Sequence, residues 1–365
     1  MPRLEKPIIR GGDQPPPVVL RDREHVVAHT QGLWDALRGE RVFVTGGTGF
    51  VGTALVEAFV AANAAHALGA RIVVLTRDAA RFAVRAPHLA NDPAVELVAG
   101  DAVDFAPPRG RFACVVHAAT ERYHDADAAR PLAVFERDLA ATRRALELAR
   151  EAGATRFLFT SSGAVYGRQP PDLANVPEDY PGAPGTTDPR TEYGQSKRAS
   201  EFACASYARV FGVGAVIARL FTFVGPHLPL DEGYAVGNFL RDVLAGGTIR
   251  IAGDGTTVRS YLYAADLAIW LWTMLLEGTP GRVYNAGSPQ PVTIRELAAD
   301  VAAAVAPTAR IEVAREAVPG APAARYVPCT RRAEDELGLR VRVPLHDALV
   351  RTYEFLELAR PAKTS

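Results

Sequence analysis

Tyr193 and Lys197 stand four residues apart in Tyr193-Gly194-Gln195-Ser196-Lys197, at the head of a stretch with helical spacing that runs to Phe211. One helical turn separates them, so phenol and ammonium share a face. A lysine cation beside a phenol favours the phenolate and draws its pKa down from about 10. That makes Tyr193 a candidate general acid/base for interconverting a carbonyl and an alcohol. Upstream, the apolar strand over 156–159 runs into Thr160-Ser161-Ser162, and the Ser162 hydroxyl could hydrogen-bond the same reacting oxygen. A Tyr/Lys pair alone is an ordinary helix-surface feature. Its weight comes from what precedes it in the chain.

What precedes it is Arg41-Val42-Phe43-Val44-Thr45-Gly46-Gly47-Thr48-Gly49-Phe50-Val51-Gly52. The apolar run 42–44 reads as a buried parallel strand, and Leu55, Val56 and Phe59 give 53–60 helical spacing. Gly46, Gly49 and Gly52 lie between, with Phe50 and Val51 at the helix entry. Glycine lets the chain turn tightly and lets phosphates approach, and a helix N-terminus presents free N–H groups. The expectation is a dinucleotide pyrophosphate site, with G-x-x-G-x-x-G spacing in place of G-x-G-x-x-G. The next strand, from Arg71, ends in Thr76-Arg77. An acidic residue there would bind the adenosine ribose of NAD, whereas Arg77 offers a cation to a 2′-phosphate and tilts the cofactor toward NADP(H). Asp78 follows directly and keeps NAD open. After the strand over 113–117, Ala118 and Ala119 are small enough for a cofactor to cross the strand end. Lys197 could then also hold the nicotinamide ribose. His117 reads as structural.

These residues need a scaffold that brings several strand ends together. Strands over 95–98, 113–117 and 156–159 alternate with helices over 131–152 and 193–211, with a Pro-rich loop from Gln169 to Pro189, and a sixth strand exits through Arg219 to Pro226. Such alternation predicts an α/β, Rossmann-type, doubly wound parallel sheet. The first 24 residues, with Gly11-Gly12 and Pro15-Pro16-Pro17, read as an irregular arm, and His25–Leu37 as an amphipathic helix. The expected divisions are 1–38 as arm and helix, and 39–225 with 262–287 as the dinucleotide-binding domain. Residues 226–261 and 288–360 then form a smaller C-terminal α/β substrate lobe, with helices over 293–305 and 345–358. Lys+Arg and Asp+Glu both number 41, so the formal net charge is zero, which argues against nucleic-acid or anionic-membrane partners. Cys114, Cys204 and Cys329 form no metal spacing and no disulfide framework, which fits a reducing cytoplasm. The most apolar segment, Leu267–Leu276, is too short to span a bilayer, and no secretory leader is read at the start.

Glycine loop, Gly100-Asp101, Ser162, Tyr193 and Lys197, in this order, resemble the extended short-chain dehydrogenase/reductases that modify nucleotide-diphosphate sugars, over about residues 40 to 357. The resemblance implies Asp101, with Ala102, at the adenine and Ser162, Tyr193 and Lys197 as a catalytic triad. It also implies hydride transfer between a nicotinamide and a sugar carbon, usually C4. Thr222 stands where the family often has Asn, at a substrate contact. Asn238 and Arg259 fall in segments that resemble the nucleotide-binding ones. An arginine's planar fork suits a diphosphate, and Arg325 is a further candidate set against an ordinary ion pair. The family's helices matching 131–152 and 191–211 pair across a homodimer. Small residues here (Ala140, Ala141, Ala145, Ala203, Ala205, Ala208) would allow that, or would pack only on their own sheet.

Family dehydratases usually place Asp-Glu directly after the triad hydroxyl, and related decarboxylases keep a Glu at the second position. Here those positions are Gly163 and Ala164, so dehydration and decarboxylation are disfavoured unless another loop supplies a carboxyl. The remaining readings are an NADP(H)-dependent 4-ketoreductase of a nucleotide-linked 4-keto-6-deoxy sugar, preferred on Arg77, and an NAD-dependent 4-epimerase. From a different class, a catalytically inactive dinucleotide-binding protein is opposed by the intact Ser162, Tyr193 and Lys197. Tyr123, His124, Tyr166 and His227 are each open as sugar-pocket or structural side chains.

Overall fold

The computed structural model describes residues 14–120, 131–230 and 233–360. The chain runs α1 (Pro17–His29), β1 (Arg41–Thr45), α2 (Phe50–Ala65), β2 (Arg71–Thr76), α3 (Ala79–Arg85), α4 (Pro87–Ala90), β3 (Val95–Ala99), β4 (Cys114–His117), α5 (Pro131–Glu151), β5 (Arg156–Ser162), α6 (Glu192–Phe211), β6 (Gly214–Leu220) and β7 (Phe223–Val224). It continues through α7 (Ala235–Leu244), β8 (Ile249–Ile251), β9 (Val258–Arg259), β10 (Leu262–Tyr263), α8 (Ala264–Glu277), β11 (Val283–Ala286), β12 (Val292–Thr293), α9 (Ile294–Val305), β13 (Ile311–Val313), α10 (Arg331–Leu337) and α11 (Leu345–Leu358).

The expected doubly wound sheet is present: seven strands in the order β11-β6-β5-β4-β1-β2-β3, every neighbouring pair parallel. Chain direction across the sheet reverses between β1 and β4, where Thr45 pairs with His117. A crevice forms outside the carboxyl ends of strands at such a reversal, and Gly46 and Ala118 stand at its two sides. The inner strands are apolar runs because helices cover both faces. α8 is buried from Ala264 to Leu276, since it is covered by β5 and β6 on one side and by α1 and α2 on the other. That double cover explains its unbroken apolarity (Leu267–Leu276). Among the described residues no helix is long and apolar enough to cross a membrane.

The N-terminal region departs from expectation. The helix spans Pro17–His29, and only a short 3₁₀ turn, Leu33–Leu37, falls in the second half of the expected His25–Leu37 helix. The cause is local. Pro17 sits in the first turn, where a missing N–H costs nothing and the fixed φ suits a helix. Gly32, at φ 79°, breaks the path before Leu33. Val18, Val19 and Val26 bury α1 against α2 and α8, and Trp34 meets Trp272 at 5.0 Å between ring centroids. α2 likewise begins three residues before the predicted Thr53, which places Phe50 and Val51 in its first turn.

Beyond the sheet, α7 and α9 pack on β8, with Leu240, Ile249, Leu297 and Val301 in the apolar core. α9 starts with reciprocal bonds: the Thr293 hydroxyl accepts from the Glu296 N–H at 3.1 Å and a Glu296 carboxylate oxygen accepts from the Thr293 N–H at 2.8 Å. The Pro-rich loop after β5 is tied to the later chain by buried amides. Asn285 donates to the Val176 and Cys329 carbonyls at 2.9 and 3.0 Å, and the Val327 N–H donates to Gln169 at 2.9 Å. This tie brings Tyr326 to the end of β5.

Candidate active site

The glycine loop is built for close approach. Gly46 lies at φ 72°, and a Cβ there would stand 2.5 Å from the Ala118 carbonyl and the Ala119 nitrogen. A Cβ on Gly52 would stand 2.1 Å from the Gly46 oxygen. The N–H groups of the first turn of α2 have no intrahelical acceptor and point along the axis past its N-terminus, and no side chain at Gly49 caps them. That cradle fits a dinucleotide pyrophosphate. Arg85 steadies the loop through the Thr48 carbonyl and the Thr53 hydroxyl.

At the end of β2, Thr76 is buried and Arg77 and Asp78 are exposed. Asp78 caps α3: its carboxylate accepts the Arg81 N–H at 2.8 Å. Asp101 lies on the loop after β3, where it accepts from Val103 N–H at 3.0 Å and from Arg137 at 2.9 Å. Partial burial pushes its pKa up, but those two donors and the nearby Arg77 charge outweigh it and hold the carboxyl below its usual range. Ala102, Ala118 and Ala119 are all partly exposed along the same rim.

Ser162, Tyr193 and Lys197 come together at the end of β5 and the first turn of α6. The Ser162 and Thr120 hydroxyls face the Tyr193 phenol and pull its pKa down, and Lys197 Nζ lies 5.6 Å from the Tyr193 ring centroid. The expected depression of the tyrosine pKa is not what the structure gives. Burial, and after it the Asp138 carboxylate, push the phenol up to about 12 against the two hydroxyls. Lys197 is buried, donates to the Thr160 carbonyl at 3.3 Å, and has its own pKa lowered by burial against the pull of Asp138. Asp138 thus offsets the lysine charge at the phenol. His117 is structural, as read: its two ring nitrogens meet the Thr45 and Thr142 hydroxyls at 2.7 and 3.1 Å, and burial pulls its pKa down to about 3.

Three site residues escaped the sequence reading. Asp138 is buried on α5 and takes hydrogen bonds from Ser196 at 3.0 Å and Thr120 at 3.3 Å. Tyr326 comes from far along the chain, its hydroxyl 3.4 Å from Ser162 Oγ and 3.3 Å from the Leu220 carbonyl. Glu192, beside Tyr193, is a buried carboxylate with neither oxygen hydrogen-bonded. It falls one turn before Ser196, which meets Asp138 of α5. An acid inside an apolar-rich helix pair was the available signal for Asp138. Nothing local marks Tyr326.

The candidate substrate contacts separate. Arg259, on β9, lies 5.6 Å over the Tyr326 ring, with its pKa lowered by burial, and so borders the triad. Thr222 is half-buried at the exit of β6. Asn238 is on α7, where its side-chain oxygen accepts from Arg241 at 3.1 Å. Arg325 turns the other way along the segment that carries Tyr326 and donates to the Ala174 carbonyl at 3.2 Å. Tyr166 is committed to Asn285 at 2.7 Å, and His227 stacks edge-on to Phe355, 4.5 Å away, in a cavity lined by Asp22, Arg23 and Glu57. Tyr166 is thus tied into the core, while neither His227 ring nitrogen is hydrogen-bonded. Tyr123 and His124 lie outside the described residues.

Sheet reversal, glycine cradle and Ser–Tyr–Lys cluster define a dinucleotide-fold oxidoreductase site. Residues 42–287 match the model of the NAD dependent epimerase/dehydratase family, and the chain belongs to that family. UDP-glucuronic acid decarboxylase 1 of Arabidopsis thaliana is 31% identical over 278 residues, which cover 74% of this chain and 60% of that protein. Among solved structures, DesIV (dTDP-glucose 4,6-dehydratase) of Streptomyces venezuelae, with NAD and TYD bound, is 28% identical with a TM-score of 0.72, covering 87% of this chain and 97% of that one. The UDP-glucuronic acid 4-epimerase of Bacillus cereus has a TM-score of 0.73 at 22% identity, with 87% and 99% covered, and shares the fold.

Proposed function

We propose that this protein reduces the C4 keto group of a nucleotide-diphosphate 4-keto-6-deoxy sugar, with NADP(H) as the preferred cofactor. One observation carries the reading. Beside the triad hydroxyl the chain has Gly163 and Ala164, and the space a side chain at 163 would need is taken by Tyr326 and Phe221, 2.7 and 2.8 Å from its Cβ position. Among the described residues the site therefore has groups for moving a proton at one oxygen, and positions 163 and 164 carry no acid for elimination or loss of CO₂. Glu192 lies one turn before Ser196 on α6 and is given no catalytic role. A bound nicotinamide would supply the hydride. Tyr193 donates the proton to the oxygen, Ser162 hydrogen-bonds that oxygen, and Lys197 holds the ribose and adds positive charge beneath the phenol. Asp101, with Ala102, borders the adenine, Arg259 and Asn238 serve the diphosphate, and Thr222 and Arg325 are weaker substrate contacts. Arg77 is exposed at the end of β2 while Asp78 is committed to the α3 cap. This supports NADP(H) over NAD.

The curated relative is a UDP-glucuronic acid decarboxylase, and on this reading the present chain has left that chemistry. A second reading is a 4-epimerase that retains NAD. It also needs only hydride and proton transfer, and it is favoured by the NAD that DesIV holds at 28% identity. Three assays on the purified protein separate the possibilities: a 4-keto-6-deoxy nucleotide sugar with NADPH or NADH, a UDP-hexose without added cofactor, and UDP-glucuronic acid followed for CO₂. Oxidation of NADPH in step with alcohol formation, lost about 10²–10⁴-fold in Tyr193→Phe, is the expected result. Epimerised product with tightly held NAD selects the second reading. CO₂ release overturns both. Turnover unchanged in Tyr193→Phe rejects the triad.

A further inference from the structure

The Ser162 hydroxyl has a single proton, and its neighbours make competing demands on it. Ser162 Oγ accepts the Ala164 N–H at 3.1 Å and faces the Tyr193 phenol. Its third neighbour is Tyr326, 3.4 Å away, whose own hydroxyl also reaches the Leu220 carbonyl at 3.3 Å. The Tyr326 ring is held between Phe221, at 4.6 Å between centroids, and the Arg259 guanidinium at 5.6 Å. Burial raises the Tyr326 pKa, so the phenol stays neutral and keeps one proton to give. A carbonyl oxygen has no proton, so Leu220 can only accept. Two arrangements keep the Ser162–Tyr326 hydrogen bond. In one, Tyr326 donates to Leu220 and Ser162 donates to Tyr326. In the other, Tyr326 donates to Ser162, and the serine proton is free to turn to a substrate oxygen. The second is the one in which Ser162 can act.

We propose that Tyr326 is a positioning residue of the reaction centre: its hydroxyl turns from the Leu220 carbonyl to Ser162 and so directs the serine proton to the reacting oxygen, and the same hydroxyl, with the Phe221 ring, keeps position 163 free of any side chain. The second half follows from the space. A Cβ at 163 would stand 2.7 Å from the Tyr326 oxygen and 2.8 Å from Phe221 Cζ, closer than side-chain atoms pack. Tyr326 and Phe221 together thus exclude a carboxylate at 163, which would make the pair a determinant of the class of reaction. No bond changes between heavy atoms; two hydroxyl protons rotate. The inference rests on the proposed carbonyl chemistry for its catalytic half and not for its steric half.

The test is a pair of double-mutant cycles. Tyr326→Phe keeps the ring and removes the hydroxyl. In the wild-type background it is expected to lower kcat about five- to tenfold, the size of one hydrogen bond, with KM little changed. In a Ser162→Ala background it should cost nothing further, because the residue acts through that serine. Equal losses in both backgrounds, or no loss in either, overturn the positioning role. The second cycle needs no substrate: Gly163→Ala should lower the melting temperature in the wild type and lower it less in Tyr326→Phe, where the nearest clashing atom is gone. Equal drops overturn the steric role. Should no keto sugar be turned over, the Ser162/Tyr326 coupling is read from denaturant unfolding instead. Additive single-variant effects there overturn the hydrogen-bonded pair.

Discussion

Asp138 is the residue whose charge adds to burial in biasing the Tyr193 proton. Burial is the larger cause of the high phenol pKa, and the Asp138 carboxylate adds to it. The same carboxylate supports the protonated form of Lys197. A phenol held up to about 12 keeps its proton at working pH, which suits donation to a carbonyl and opposes abstraction from an alcohol. Asp138→Asn removes the negative charge and lowers the phenol pKa. Reduction needs the protonated phenol, so its alkaline limb should move to lower pH. Oxidation needs the phenolate, so its rate near neutral pH should rise relative to reduction. Rates in both directions across neutral to alkaline pH check this, and limbs that stay put in both directions would show that Asp138 only supports Ser196 and Thr120. The motif Tyr193-x-x-x-Lys197 was legible because one helix turn fixes it. The sign of its pKa shift was not legible, since it depends on burial in the folded chain and then on a carboxylate contributed by α5, 55 positions earlier in the chain.

α1 is an element whose attachment is electrostatic as well as apolar. Asp22 accepts from the Tyr263 hydroxyl at 2.6 Å and from Arg351 at 3.0 Å, and so ties α1 to β10 and α11. His25 adds a contact to Asp266 at 2.7 Å, at the start of α8. Burial raises the Asp22 pKa from 3.8 to about 6, more than Tyr263, Arg351 and His25 pull it down. The folded state therefore binds this proton more tightly than the unfolded chain. Its stabilising effect is full below pH about 4 and is lost as pH rises through about 6, a change on the order of 3 kcal/mol. Asp22→Asn does not titrate. Its stability relative to the wild type should improve by about that amount between pH 4 and pH 7.5, whatever the constant cost of the altered hydrogen bonds. Denaturant unfolding at the two pH values tests this; a pH-independent difference would mean that Asp22 titrates alike in both states. The sheet and its crossover helices could be read from periodicity, because most strands are apolar runs closed by small residues or a hydroxyl. α1 could not. Its prolines suggest irregular chain, and its partners Tyr263 and Arg351 lie some 240 and 330 residues away.

At the scale of the whole molecule, α5 and α6 raise the question of a second copy. Their facing sides are used up within the protomer: Asp138 meets Ser196, Thr142 meets Ser200 at 2.9 Å, and Glu147 meets Tyr207. The small residues that suggested a pairing surface are partly spent as well, since Ala141 and Ala145 are buried and Ala203 and Ala208 pack on the core beneath the sheet. What remains outside is large and apolar. Phe202 is 76% exposed, Val210 67% and Phe211 52% on α6, and Leu132 66% on α5. On α6, Phe202, Val210 and Phe211 give two copies related by a twofold axis the same apolar patch to bury on each side. The expected state is a homodimer at micromolar concentration by sedimentation. Phe202→Glu would place a charge at the centre of the patch and shift it to monomer, with cofactor affinity retained because the glycine loop lies at the ends of β1 and β4. A monomeric wild type would assign the patch to a different partner. A dimer unaffected by Phe202→Glu would move the interface off α6.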